Sequence, residues 1–190
     1  MALDCGKISA SLSMAACGTS AIGVHPEVIL MNLGDIESVT KENGVVTAIV
    51  LKDGAYAYKY ETYQRAVEVS SPISKGTYIT RFQHQVVFRA FTKTQEIKDQ
   101  LNALANAKVV TIVKNVANDN DETKFEVYGL DNGLVMTDLQ NASNDADGIV
   151  YAVTLSSDDT GLEGALPASF YTTSVEATQA AIDALLQNNG

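Results

Sequence analysis

Apolar positions in this chain recur mostly at every second residue, the period of β-strands. VILMNL (28–33), VVTAIVL (45–51), AVEVS (66–70), KVVTIVK (108–114) and GIVYAVTL (148–155) each predict a short strand rich in β-branched residues. Two turn dipeptides lie among such runs. Asp53-Gly54 separates VVTAIVL from AYAYKYE (55–61), and Asn132-Gly133 sits inside FEVYGLDNGLVMTD (125–138). Both predict tight hairpins, because these residues tolerate the positive φ angles of a type I′ turn. Around the second turn, Phe125 and Val127 alternate with Tyr128 and Leu130, so apolar side chains fall on both faces. Such a strand is covered on both sides, within a sandwich or under a neighbouring subunit. TYITRFQHQVVFRAF (77–91) is longer. At about 3.3 Å per residue it reaches roughly 50 Å, so it must bend, break or leave the domain body.

The helical period occurs twice. After Thr92, paired with Gln95 as a capping box, Ile97, Leu101, Leu104 and Ala105 form one stripe. Ser174 caps a second helix whose Thr178, Ala181, Ile182, Leu185 and Leu186 share a face. These patterns predict a β-dominated α+β fold, a β-sandwich or barrel-like body of about eight to ten strands with two packed helices. Residues 1–25, rich in Ser, Ala and Gly without periodicity, read as an extended N-terminal arm held by a neighbouring chain, and residues 26–190 as a single β-rich globular domain ending in a helix.

The chain has 190 residues, 46% of them hydrophobic, enough for one substantial core and short for two. Against 13 basic residues stand 23 acidic ones, a net charge of −10. That sign repels phosphate backbones and anionic lipid, while suiting a surface past which DNA slides without being gripped. No run approaches the roughly 20 apolar residues of a membrane-spanning helix, so a soluble protein with no membrane partner is expected. The leading segment lacks the basic start of a signal peptide, since Asp4 precedes Lys7.

Candidate chemistry is sparse. Cys5, Cys17 and His25 have no zinc-site spacing, and whether the two thiols pair is left open. His25 and His84 are the two histidines, neither beside a nucleophile, so no catalytic residue is assigned. In SNDADG (143–148), Ser143, Asp145, Asp147 and Gly148 match the start of a calcium loop, but Thr154 stands where a bidentate Glu belongs. That tract and NDNDE (118–122) read as solvated turns. Tyr56, Tyr58 and Tyr60 share a face, and packing is the favoured reading over ligand stacking. Phosphate-binding glycine motifs are absent, so neither cofactor nor metal is expected.

The order of MNLGDI, VVTAIVLKDGAYAYKYE, FQHQVVFRAF, a helix, AKVVTIVKN, KFEVYGLDNGLVMTD, an Asn/Asp-rich loop and YAVTLSSDD, over residues 28–160, resembles virion structural proteins of tailed bacteriophages of the Bacteroides-type, crAss-like kind. These are similar to tail-tube or neck-ring subunits. The resemblance implies a non-enzymatic subunit, made in the host cytoplasm and located in the virion, that pairs strands and loops with copies of itself and with adjacent neck, tail or portal proteins. DNA would pass through the resulting conduit without specific binding. The implied subunit interface comprises Arg81, Phe82, His84 and Phe88 of the long strand and Asn132 and Gly133 of the turn. The competing reading is a β-sandwich module that binds carbohydrate or another ligand through the tyrosine stripe and acidic loops.

Overall fold

In the computed structural model, which describes residues 23–63, 65–116, 122–141, 150–157 and 161–186, thirteen strands and two α-helices follow one another. They are β1 (Val24–Asn32), β2 (Ile36–Glu42), β3 (Val45–Leu51), β4 (Tyr58–Glu61), β5 (Val67–Ser70), β6 (Ile73–Lys75), β7 (Thr80–Phe82) and β8 (Gln85–Ala90), then α1 (Gln95–Leu104), β9 (Val109–Asn115), β10 (Phe125–Tyr128), β11 (Val135–Asn141), β12 (Tyr151–Ser156), β13 (Ala168–Ser169) and α2 (Val175–Leu185). All residues of Val109–Val113 are buried, which requires cover on both faces of β9. The body has three layers, the sheet that holds β9 lying between a second sheet with α1 and the β2–β3 pair with α2. The central sheet has the order β13-β10-β9-β1-β4, and a second sheet has the order β11-β12-β8-β5.

Strand alternation divides the core in two. Val28 and Leu30 of β1, Val109 and Val113 of β9 and Tyr128 of β10 meet Val86 and Phe88 of β8, Val153 and Leu155 of β12, and Leu101 and Leu104 of α1. The intervening residues Ile29, Met31, Val110, Ile112, Phe125 and Val127 point the other way, against Val46 and Ile49 of β3, Ile182 of α2, and Phe170. Each fully buried side chain of this size contributes about 1.5–3 kcal/mol relative to exposure. The expected α+β, β-dominated class is what the structure shows, and the two-sided pattern of Phe125–Tyr128 is covered within this one chain.

Two local expectations are corrected and a third is resolved. The run 77–91, too long not to bend, break or leave the body, breaks at Gln83 and His84, with β7 pairing to β6 and β8 entering the second sheet. Asp53-Gly54 does make a turn, with Ala55 N–H donating to Lys52 O at 2.9 Å, but β3 pairs with β2 and β4 pairs with β1. The hairpin uses Asn43-Gly44 instead, whose φ values of 51° and 88° are those a type I′ turn demands.

Asn132-Gly133 makes no hairpin either. Of the two, Gly133 alone has positive φ, and β10 and β11 belong to different sheets. Tyr128 pairs with Thr111 of β9, the chain leaves the sheet for residues 129–133, and Leu134 rejoins β9 opposite Val109. Gly129 (φ 73°) and Gly133 (φ 78°) open and close this excursion, Gly133 N–H donating to Gly129 O at 2.9 Å.

At the helices the outcome is mixed. Thr94, not Thr92, caps α1, its side chain accepting from Ile97 N–H, while Ser174 caps α2 by accepting from Ala177 N–H. In the α1 stripe Leu101 and Leu104 are buried, whereas Ala105 is exposed beyond the last turn. β1 begins at Val24, so the body starts before the predicted boundary at residue 26. Residues 1–22 of the predicted arm, with Cys5 and Cys17, and the tract 143–148 lie outside the described residues, as do residues 118–121 of the first acidic tract.

Candidate assembly interface

β6 and β7 form a two-stranded ribbon with Ile73 opposite Phe82, Ser74 opposite Arg81 and Lys75 opposite Thr80. Gly76 N–H donates to Ile79 O at 2.9 Å and closes its tip. Among the described residues no third strand joins the ribbon, and every residue from Pro72 to Arg81 is exposed. Three large apolar side chains are among them: Ile73 is 55% exposed, Ile79 59% and Tyr78 96%. An isolated ribbon of this kind is marginal in water, so its base must be held. Phe82 and Glu163 exchange backbone hydrogen bonds of 2.9 Å each, Gln83 N–H donates to Pro72 O, and the Arg81 guanidinium donates to Leu162 O at 3.3 Å. In a chain of net charge −10, this hairpin carries Lys75 and Arg81 and no acidic residue.

The predicted interface residues separate into two groups. Arg81 is exposed and Phe82 half-buried at the ribbon's base. His84 and Phe88 are not on a surface at all, being 2% and 3% exposed; the strand break at Gln83–His84 turns both inward, Phe88 into the sandwich core against Tyr60. Gly133 is buried under Lys108 and Leu33, and Asn132 is half-buried.

His84 and Asn132 instead take part in a polar cluster around the 129–133 excursion. The His84 ring donates from Nε2 to Ala165 O at 2.9 Å and accepts at Nδ1 from Gly129 N–H at 3.1 Å, an arrangement that defines the neutral Nε2–H tautomer. Burial lowers its pKa, opposed by the hydrogen bond to Ala165. Glu163, 2% exposed, accepts Asp131 N–H at 2.9 Å on one carboxylate oxygen and Asn132 N–H at 3.0 Å on the other. Burial pushes its carboxyl up, and the two amide donors pull it down. The Asn132 side chain donates to Leu162 O at 3.0 Å. Both ring nitrogens and both carboxylate oxygens are thus engaged in holding backbone. The cluster borders a cleft of about 370 Å³ reaching Lys41 and Pro167.

Tyr58 and Tyr60 lie on the sandwich-facing side of β4, opposite Leu30 and Val28. Tyr60 is partly buried against Phe88, with ring centroids 5.7 Å apart, whereas Tyr58 remains 44% exposed. Two adjoining hollows of about 230 and 380 Å³ form a groove between β4 and α1, with Tyr58, Tyr60 and Gln100 common to both. The stripe therefore both packs and lines a surface groove.

Two features escape the sequence patterns set out above. Asn43-Gly44 carries the same dipeptide signal as Asn132-Gly133 and is legible. Glu163 is not, because its partners lie more than thirty positions away in sequence. Among the described residues no group of His, Cys, Asp and Glu side chains has the makings of a metal site. Comparison with protein-family models, curated proteins and solved structures finds no match for this chain.

Proposed function

We propose that the chain is a virion structural subunit of a tailed bacteriophage, a ring- or tube-forming component of the neck or tail that helps build the genome-delivery conduit by self-assembly. The observation that carries this reading is the β6–β7 hairpin, which holds Ile73, Tyr78 and Ile79 in solvent on a framework too small to bury them. Apolar side chains grouped on a protruding ribbon gain free energy when another surface covers them, at about 25 cal/mol per Å² of apolar area. The acid excess of the chain fits a lumen that lets DNA pass without gripping it. Neighbouring neck, tail or portal proteins are the further partners of this role, which belongs to the virion.

A second reading, a ligand- or carbohydrate-binding module, has one observation in its favour: the groove lined by Tyr58 and Tyr60. Light scattering and negative-stain imaging of the purified chain discriminate the two. Rings, tubes or discrete oligomers at micromolar concentration support the structural subunit. A monodisperse monomer that binds glycans overturns it in favour of the module.

A further inference from the structure

We propose that the β6–β7 hairpin of one copy docks on the outer edge of β4 and the adjoining α1 groove of a second copy. This rests on the assembling role above and names the two surfaces that carry it.

The receiving edge follows from the ladder. Thr62 N–H donates to Pro26 O, and the same rung parity continues through Tyr60–Val28 and Tyr58–Leu30. The backbone groups of Tyr58 and Tyr60 therefore point to β1, and those of Lys59 and Glu61 point away from the sheet. At this edge Ala57 is engaged, donating to Leu185 O at 2.7 Å, but among the described residues nothing pairs with the outward groups of Lys59 and Glu61. An open edge is a template for another strand.

Charge selects which strand. Glu27 lies directly opposite Glu61, and the Lys59 ammonium, with Nζ 2.6 Å from Glu61, is also within the field of Glu27 and Asp183. Such an edge repels another copy of itself and favours a basic ribbon. The hairpin is that ribbon: Ile73 and Lys75 share one of its faces by the two-residue period, and Tyr78 and Ile79 form its tip. Beside the edge, Tyr58 and Tyr63 are 44% and 67% exposed, and the groove of about 380 Å³ supplies Ile97 and Leu101. Apolar tip and basic flank thus meet apolar groove and acidic edge.

Geometry excludes a fold-back within one chain. The hairpin leaves the second sheet at the Ser70–Gln85 end of the β5–β8 pair. Tyr63 stacks edge-on with Phe91 at 4.6 Å, beyond the opposite, Val67–Phe88 end. Donor and acceptor surfaces at opposite ends of one body make a head-to-tail contact, which repeats into a ring when the rotation closes and a filament when it does not.

The test uses the full chain with p-benzoylphenylalanine in place of Tyr78, mixed with an isotopically labelled unmodified chain and irradiated under assembling conditions. Mass spectrometry is expected to find intermolecular cross-links on the peptides carrying residues 58–61 and 96–104. In parallel, Lys75→Glu is expected to weaken assembly roughly tenfold, and Glu61→Lys in the same chain to recover most of that loss, the behaviour of a charge pair across an interface. Circular dichroism checks that these exposed substitutions leave the fold intact. Assembled particles whose cross-links fall elsewhere, or a Lys75→Glu defect that Glu61→Lys does not relieve, overturn this docking and leave the assembling role standing. A chain that stays monomeric without intermolecular cross-links overturns both.

Discussion

Replacing Gly129 with alanine probes the excursion on which the two sheets depend. Gly129 has φ +73°, a conformation that costs an L-residue about 1–2 kcal/mol. The added Cβ also has no room: it lies 2.7 Å from Leu134 Cγ, 3.0 Å from Leu134 Cδ2 and 3.0 Å from the Gly133 carbonyl carbon. Leu134 is fully buried and anchored to Val109 by two backbone hydrogen bonds of 2.9 and 2.7 Å, so it has little freedom to retreat. Overpacking of this kind costs about 1–3 kcal/mol, giving an expected loss of about 2–5 kcal/mol in all. Gly44→Ala is the matched control, since Gly44 has φ +88° and an added methyl there meets nothing within 4 Å. It loses the conformational contribution alone, about 1–2 kcal/mol. Urea unfolding, with the midpoint and slope compared for the three proteins, measures both. Equal losses for the two variants would refute the claim that the 129–133 excursion is sterically locked against Leu134.

Two further predictions concern the buried polar cluster and the second helix. His84 has its folded pKa below the ordinary 6.5, so its contribution to stability is complete above that value and is lost as pH falls through the folded pKa; Glu163, raised above 4.5, contributes fully below that value and loses this as pH rises through its own folded pKa. Urea midpoints measured across pH should therefore show His84→Gln flattening the first dependence and Glu163→Gln the second, and a His84→Gln profile parallel to that of the parent would contradict the assignment. Ser174→Ala removes the acceptor for Ala177 N–H at the start of α2 and should cost about 1 kcal/mol in the same assay, with no loss expected from Thr92→Ala, whose side chain does not cap α1.

Periodicity decided the elements whose partners are supplied by burial alone. The continuous apolar run of Val109–Val113, the alternation through Phe125–Tyr128 and the stripe Thr178–Ile182 each state how many faces must be covered, and the fold covers that number. Turn chemistry was legible as turns and misleading as pairing. Asn43-Gly44, Asp53-Gly54 and Asn132-Gly133 have similar local preferences, yet only the first joins two strands of one ladder. A dipeptide constrains two φ angles, whereas strand partners depend on which remote apolar face is available to bury against. For that reason Leu134 returns to β9 and not to β10, and the break at Gln83–His84 sends Phe88 into the core while leaving Tyr78 in solvent. The same limit hid the polar cluster: His84, Gly129, Asn132, Glu163 and Ala165 become neighbours only when the sheets stack, and no short-range pattern encodes a contact that closes over such separations.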